Sequence, residues 1–392
     1  MKFSALSQDY RVSDQPPLHT SRGKAATIDN LQVVRAIAAY LVVCYHILGQ
    51  YVAHLYPGAK YLTFGASGVD IFFVISGFIM VVTTSDGRTG PTDFLAKRIA
   101  RIVPIYWIVT LVLVAITLTG QKPVGIMRMQ GDWVVKSLLF IPFDRDGRIE
   151  PVNSVGWTLN YEMFFYVVFT ICLFVRQSST RVLLLCSTMV GLTILGLCSD
   201  FGWLGKFYTT PIILEFAFGS ALGYFFQLTG RHEPQKAHSG GRLISCLLIA
   251  AGFAVIAVAQ VTTISWDIRA ELAGLTRPLV WGVGGLFIVA GAVFLERSGG
   301  IISSGWPKKL GDASYSIYLI HGLVLHASSK IAGLFLPMGI PYLLLTAFLG
   351  VTLSTGLGLV LFRTIEAPTS QWARLRLLAA ADRNSTVREG QL

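Results

Sequence analysis

Two ionisable side chains stand in the first apolar stretch of the chain, Leu31-Gln-Val-Val-Arg-Ala-Ile-Ala-Ala-Tyr-Leu-Val-Val-Cys-Tyr-His-Ile47. Arg35 and His46 are eleven residues apart. At about 100° per residue that is three turns plus about 20°, so both lie on one helical face, roughly 16 Å apart along the axis. A guanidinium near a membrane surface and an imidazole deeper on the same stripe make a site geometry. An ionisable residue inside a bilayer is a functional hypothesis by default. The structural alternative is an Arg35 that snorkels to the headgroups and a His46 that packs.

Further polar groups recur along the apolar segments. Asp70 follows Gly65-Ala-Ser-Gly-Val and precedes Ile-Phe-Phe-Val-Ile-Ser-Gly77. It either caps the segment or enters a site, and Gly68 and Gly77 permit close helix approach. Arg98 and Arg101 are three apart and share a face ahead of Pro104-Ile-Tyr106-Trp107. Two guanidiniums so placed can grip phosphate bidentately, or anchor a helix end at the inner headgroups. Thr158, Glu162 and Tyr166 are spaced by four behind Trp157 and form a polar stripe. A carboxylate there is costly unless partnered, which favours a functional Glu162. Glu215 is a second buried acid, and Ser314, Tyr318 and His321 share another face. Pro368, after Phe362-Arg-Thr-Ile-Glu366, is expected to stop the last helix.

The elements that must hold these residues follow from composition. The 392 residues are 53% hydrophobic and only 14% charged, where a soluble chain is nearer a quarter charged. Apolar runs reach about 20 residues, the length of a membrane-crossing helix. The fold class is therefore all-α, a polytopic membrane bundle without a soluble domain. Ten spans are expected, near 31–54, 68–85, 101–120, 156–175, 180–198, 208–228, 242–263, 277–296, 311–333 and 341–364. This gives a disordered cytoplasmic tail over 1–29, a membrane domain over 30–368 and a second cytoplasmic tail over 369–392. No cleavable signal peptide is visible. With the N-terminus inside, 21 basic residues fall in inner segments and 10, Arg277 among them, in outer ones. That bias predicts both termini in the cytoplasm of a cell inner membrane. The net charge of +11 thus reflects loops facing lipid headgroups and not nucleic acid. The apolar piece Trp133–Phe143 is too short to span and is expected to be a re-entrant or surface helix. The five cysteines lie in apolar segments without metal or disulfide spacing, and no metal site is expected.

Taken in order, these motifs resemble the integral-membrane acyltransferase-3 family. They are Arg-x10-His, Gly-Val-Asp-x-Phe-Phe-Val-x-Ser-Gly, Arg-x-x-Arg before Pro-x-Tyr-Trp, Trp-Thr-Leu-x-x-Glu, Ser-Tyr-x-x-Tyr-x-x-His and a terminal Glu-x-Pro. The likeness spans about residues 30 to 368, and two segments are most similar to bacterial exopolysaccharide O-acetyltransferases. The resemblance implies acetyl-CoA as a donor from the cytoplasm, with no permanently bound cofactor. It implies a hydroxyl of an exported or lipid-linked polysaccharide as acceptor, and polysaccharide synthesis or export machinery as a partner. No SGNH-type domain is seen, so direct transfer to the final acceptor is expected. Under that resemblance His46 is the base, with Glu162 or Asp70 orienting it. Arg35, Arg98, Arg101, Tyr106, Trp157, Ser314, Tyr318 and His321 bind donor or acceptor. Cys44 as an acyl carrier is disfavoured, because it points about 200° away from His46. The rival class is a flippase for a lipid-linked sugar, and the bland one an export-complex scaffold. The chain shows no internal repeat of the kind many transporters carry.

Overall fold

The computed structural model describes residues 28–49, 63–87, 89–121, 130–145, 148–230, 239–262, 274–302 and 305–389. The expected N-terminal tail lies, through residue 27, outside the described residues. Fourteen α-helices follow in order: α1 Asp29–Ile47, α2 Ser67–Thr83, α3 Pro91–Leu118, α4 Gly131–Leu138, α5 Trp157–Cys172, α6 Ser178–Cys198, α7 Gly202–Tyr208, α8 Leu214–Leu228, α9 Ser239–Thr262, α10 Val283–Arg297, α11 Trp306–Asp312, α12 Ser314–Phe335, α13 Ile340–Leu361 and α14 Ala367–Glu389. Among the described residues, nine helical runs are long and apolar enough to cross a membrane. The fourth expected span is α5, whose 16 residues follow a 3-10 turn at Ser154–Gly156. Each of the ten expected spans therefore has a helix. A helix satisfies its own backbone in hydrocarbon, which is why apolar runs of this length adopt it.

Small residues set the closest packing. A side chain at Gly68 would collide with the Ala38 carbonyl, which seats α2 against α1. Gly77 lies on the Phe216 carbonyl and Gly219 on the Val74 carbonyl, so α2 and α8 nearly touch backbone to backbone. Beside that seam Phe216 stacks on Phe73 and on Phe165, each at 4.4 Å, joining α2, α8 and α5. Val74 to Gly219 and Phe78 to Gly223 advance together, so α2 and α8 run parallel. α1 runs against both. The end of the bundle where α1 begins is the near end here, and the other the far end.

Two expectations about boundaries are corrected. The third span begins at Pro91, ten residues earlier than expected, and α3 continues through Pro104. Pro91 occupies the first turn, where its missing N–H costs nothing. Interior prolines are tolerated where neighbouring helices satisfy the freed carbonyl. Lys97, Arg98 and Arg101 consequently sit within a helix. Pro368 does not stop the last helix either. A π turn at Phe362–Glu366 loosens the backbone ladder, and α14 starts anew with Pro368 in its first turn. The region expected to be the tail from residue 369 is thus helical to Glu389 and packs on α3. The Trp133–Phe143 piece forms the short helix α4, followed by a two-residue hairpin pairing Asp144–Arg145 with Arg148–Ile149. Trp133 stacks on Phe143 at 5.9 Å. Trp107 Nε1–H donates to the Leu138 carbonyl at 2.8 Å and ties α4 to α3.

The α2–α8 seam predicts a strong asymmetry among glycines. Gly77→Ala should lower the melting temperature of the purified protein, costing about 1–3 kcal/mol of packing strain. Gly191→Ala in α6, where a methyl meets open space, should be neutral or slightly stabilising. Thermal unfolding in detergent, followed by size exclusion, checks both.

Candidate functional site

A partly open cavity lies between α1, α2, α3, α5 and α12. Its near part carries Arg35 from α1, Arg98 and Arg101 from α3 and Tyr166, whose ring meets Phe94; Ser76, Glu162, Thr158 and Tyr318 also line it. Helical periodicity builds it. The spacing of four turns Thr158, Glu162 and Tyr166 toward one cavity, and the spacing of three does the same for Arg98 and Arg101. Glu162 accepts hydrogen bonds from Ser76 Oγ at 3.0 Å and from the Tyr166 hydroxyl. Arg101 Nε stands 3.7 Å from Glu366 Oε1, and Ser316 Oγ donates to the other Glu366 oxygen at 2.7 Å.

The other two guanidiniums are left open. Arg35 is buried and among the described residues reaches only Gln32 Oε1, at 3.5 Å. Arg98 has a buried Nε without a partner. Among the described residues no carboxylate stands within ion-pair distance of either. A buried cation without an ion-pair partner is costly, and with Glu162 the one carboxylate among the described residues of the lining the cavity holds more positive than negative charge.

The far end of the cavity is closed by Tyr318. Its hydroxyl lies 2.9 Å from Thr158 Oγ1 and donates to the Val155 carbonyl at 3.2 Å, and its ring meets Phe72 edge-on. Behind it stand the two histidines. His46, in the last turn of α1, lies with its ring centroid 5.0 Å from that of His321. His321 in turn lies 5.7 Å from the Tyr318 ring. Neither imidazole lines the cavity. Cys44 is exposed on the opposite face.

The carboxylates expected to orient His46 do not reach it. Glu162 is held by Ser76 and Tyr166. Asp70 is fully buried, and its two oxygens accept from Arg277 Nε at 2.9 Å and Nη2 at 2.8 Å. Arg277 was counted above in an outer loop. It is 1% exposed and lies over the Trp281 ring at 5.2 Å, beside a π turn at Pro278–Gly282. That leaves nine basic residues on the outer count. Glu215 is buried in the same layer, against Gly282. A lone intramembrane carboxylate at Asp70 called for a cation, but no sequence spacing pointed to Arg277.

Besides His321, three expected binding residues fall elsewhere. Tyr106 is buried and stacks on Phe140 at 4.7 Å. Trp157 packs edge-on against Tyr161, and Ser314 is buried at the start of α12. None of the three lines the cavity. Glu366, Ser76 and Tyr315 were not among the expected site residues; Ser76 and Tyr315 line the cavity, and Glu366 holds Arg101.

The family model described as an acyltransferase domain matches residues 28–361, the whole stretch that builds this cavity. The chain belongs to the acyltransferase-3 family. It is 38% identical over 323 residues to the exopolysaccharide production protein ExoZ of Rhizobium meliloti (strain 1021), covering 82% of this chain and 94% of that protein. It is 23% identical over 344 residues to the acyltransferase MdmB of Streptomyces mycarofaciens, covering 79% and 82%. No solved structure matches it. As an acyltransferase-3 protein the chain is a multi-pass membrane acyltransferase.

The Asp70–Arg277 pair predicts a non-additive loss of stability. Asp70→Ala and Arg277→Ala should each cost about 3–5 kcal/mol by stranding a buried charge, and the double variant less than their sum. Arg35→Ala, which breaks no ion pair, should cost less. A double-mutant cycle on thermal unfolding in detergent measures this.

Proposed function

We propose that the protein transfers an acyl group, acetyl by family likeness, from cytoplasmic acyl-CoA to a hydroxyl of an exported or lipid-linked polysaccharide. The observation that carries this is the cavity with Arg35 and Arg98 unpaired and Arg101 only loosely held. Guanidiniums of that kind suit the phosphates of a coenzyme A. The near end then faces the cytoplasm of a cell inner membrane with both termini, in keeping with the basic-residue bias of the loops. The acceptor class draws on the name of the relative from Rhizobium meliloti.

In this reading the pantetheine arm runs along the cavity and brings the thioester to Tyr318 and Thr158. Their hydroxyls, which donate to the Val155 carbonyl in the resting structure, turn to donate to the oxyanion that develops on the thioester carbonyl. The Tyr318 side chain, which separates the cavity from His46, moves aside as the acceptor enters, and His46 takes the proton of the acceptor hydroxyl. The hydroxyl oxygen forms the new C–O bond, the C–S bond breaks, and the proton passes from His46 to the leaving thiolate. Glu162 does not act on His46; it holds Tyr166 and Ser76 and balances charge among the arginines. Asp70 secures the bundle through Arg277.

Two measurements test this. Arg98→Ala and Arg101→Ala should raise the Michaelis constant for acetyl-CoA about tenfold or more, since a charge-assisted phosphate contact contributes about 1.5–3 kcal/mol. An unchanged constant in folded protein returns the arginines to anchoring. His46→Gln cannot take the proton and should lose transfer by a factor of about 10²–10⁴, while acetyl-CoA still binds. Retained transfer would remove His46 from the chemistry.

A further inference from the structure

His321 is fully buried, one turn beyond Tyr318 on α12. Its Nδ1 lies 2.5 Å from the Tyr318 carbonyl oxygen. A carbonyl only accepts, so Nδ1 carries the hydrogen. The ring is thereby locked in the tautomer whose Nε2 is a bare acceptor. That Nε2 is buried and has no partner, although buried polar atoms are nearly always satisfied. The aromatic rings against His321 are those of Tyr318 and His46. The Tyr318 hydroxyl is already committed to Thr158 and Val155. His46 is half-buried at the end of α1, next to the π turn Leu48–Gly49.

We infer that His321 is the positioning residue for His46: its Nε2 accepts a hydrogen bond from the His46 ring as that ring takes up the acceptor's proton. This rests on the transferase reading above. A neutral imidazole has one N–H and one lone pair, and on protonation both nitrogens become donors. When the hydroxyl proton arrives on one His46 nitrogen, the other N–H points to His321. No net proton reaches His321; the proton goes on to the thiolate of coenzyme A. The role parallels that of the carboxylate in a serine-protease triad, but the partner is neutral. A neutral acceptor brings no second charge into the hydrocarbon, where it would itself require a counter-ion. Catalytic hydrogen bonds often tighten only when substrate is bound, which fits two rings at 5.0 Å that have yet to bond.

The test uses membrane vesicles from the polysaccharide-producing cells, carrying the full-length variants in place of the native copy. They are given radiolabelled acetyl-CoA, and label in polysaccharide is counted. His321→Leu should lower kcat about 10²-fold and leave the Michaelis constant for acetyl-CoA within about twofold of the wild type. His321→Asn can keep the bond to the Tyr318 carbonyl but offers nothing in place of Nε2, and should fall as far. His321→Gln carries an acceptor oxygen out to the Nε2 position and should recover to within about tenfold of the wild type. Size exclusion in detergent confirms that each variant is folded, and the Gln rescue separates a lost acceptor from a lost shape. Leu and Asn variants with wild-type kcat, or with losses only in the Michaelis constant, overturn the inference while His46→Gln stays dead. An active His46→Gln, or no label from the wild type, overturns the transferase reading and the inference with it.

Discussion

Charge inside hydrocarbon has to be answered by opposite charge or by dense hydrogen bonding, and Asp70–Arg277 is where this bundle meets that constraint most completely. Arg277 Nε and Nη2 meet the two Asp70 oxygens in parallel, away from bulk solvent, while Arg277 Nη1 has no partner among the described residues. The pair joins the start of α2 to the start of α10, with Glu215 from α8 in the same layer. Removing either partner would strand an ion, which explains why the rest of the far half can be built from aromatic stacks and small residues around it. The cavity is the reverse case: its guanidiniums are gathered without enough carboxylates to answer them. Structure and chemistry are thus divided by how fully the charges are matched.

That division was only partly legible in the sequence. Local spacing carried well. The stripe Thr158, Glu162, Tyr166 and the pair Arg98, Arg101 face one cavity as their periods require. Arg35 and His46 share a stripe too, but their separation along the axis places one in the cavity and the other behind Tyr318. What failed was whatever depended on distant parts of the chain. Arg277 stands 207 positions from Asp70 and at the edge of an apolar run, where a basic residue reads as loop. The pairing of His46 with His321 is of the same kind, since packing of α1 on α12 and not any local period brings the rings together. Glu366 looked like a terminal motif before a stop, whereas the chain continues and turns that carboxylate onto Arg101.

The expectation at Pro368 failed for a different reason. Pro368 has the local effect of breaking a helix in water, and on that effect alone it is expected to end the last span. Inside a packed bundle neighbouring helices absorb the freed carbonyl, and a π turn shifts Pro368 into a first turn where it does no harm. Among the described residues the π turns adjoin His46, Arg277 and Glu366. Each local loosening of the ladder coincides with a residue that must be aimed.

The loose contact between Arg101 and Glu366 has a consequence for how the protein feels its medium. At 3.7 Å, with Arg101 30% exposed, the pair lies within reach of dissolved ions, and at about 0.15 M salt such a field fades over about 8 Å. The Asp70–Arg277 pair is dry and feels none of this. Ionic strength therefore loosens one latch and leaves the other shut. Dissolved ions thus reach the contact between Arg101 and Glu366 and leave Asp70–Arg277 untouched, so salt acts on one charge pair of this bundle without softening the other.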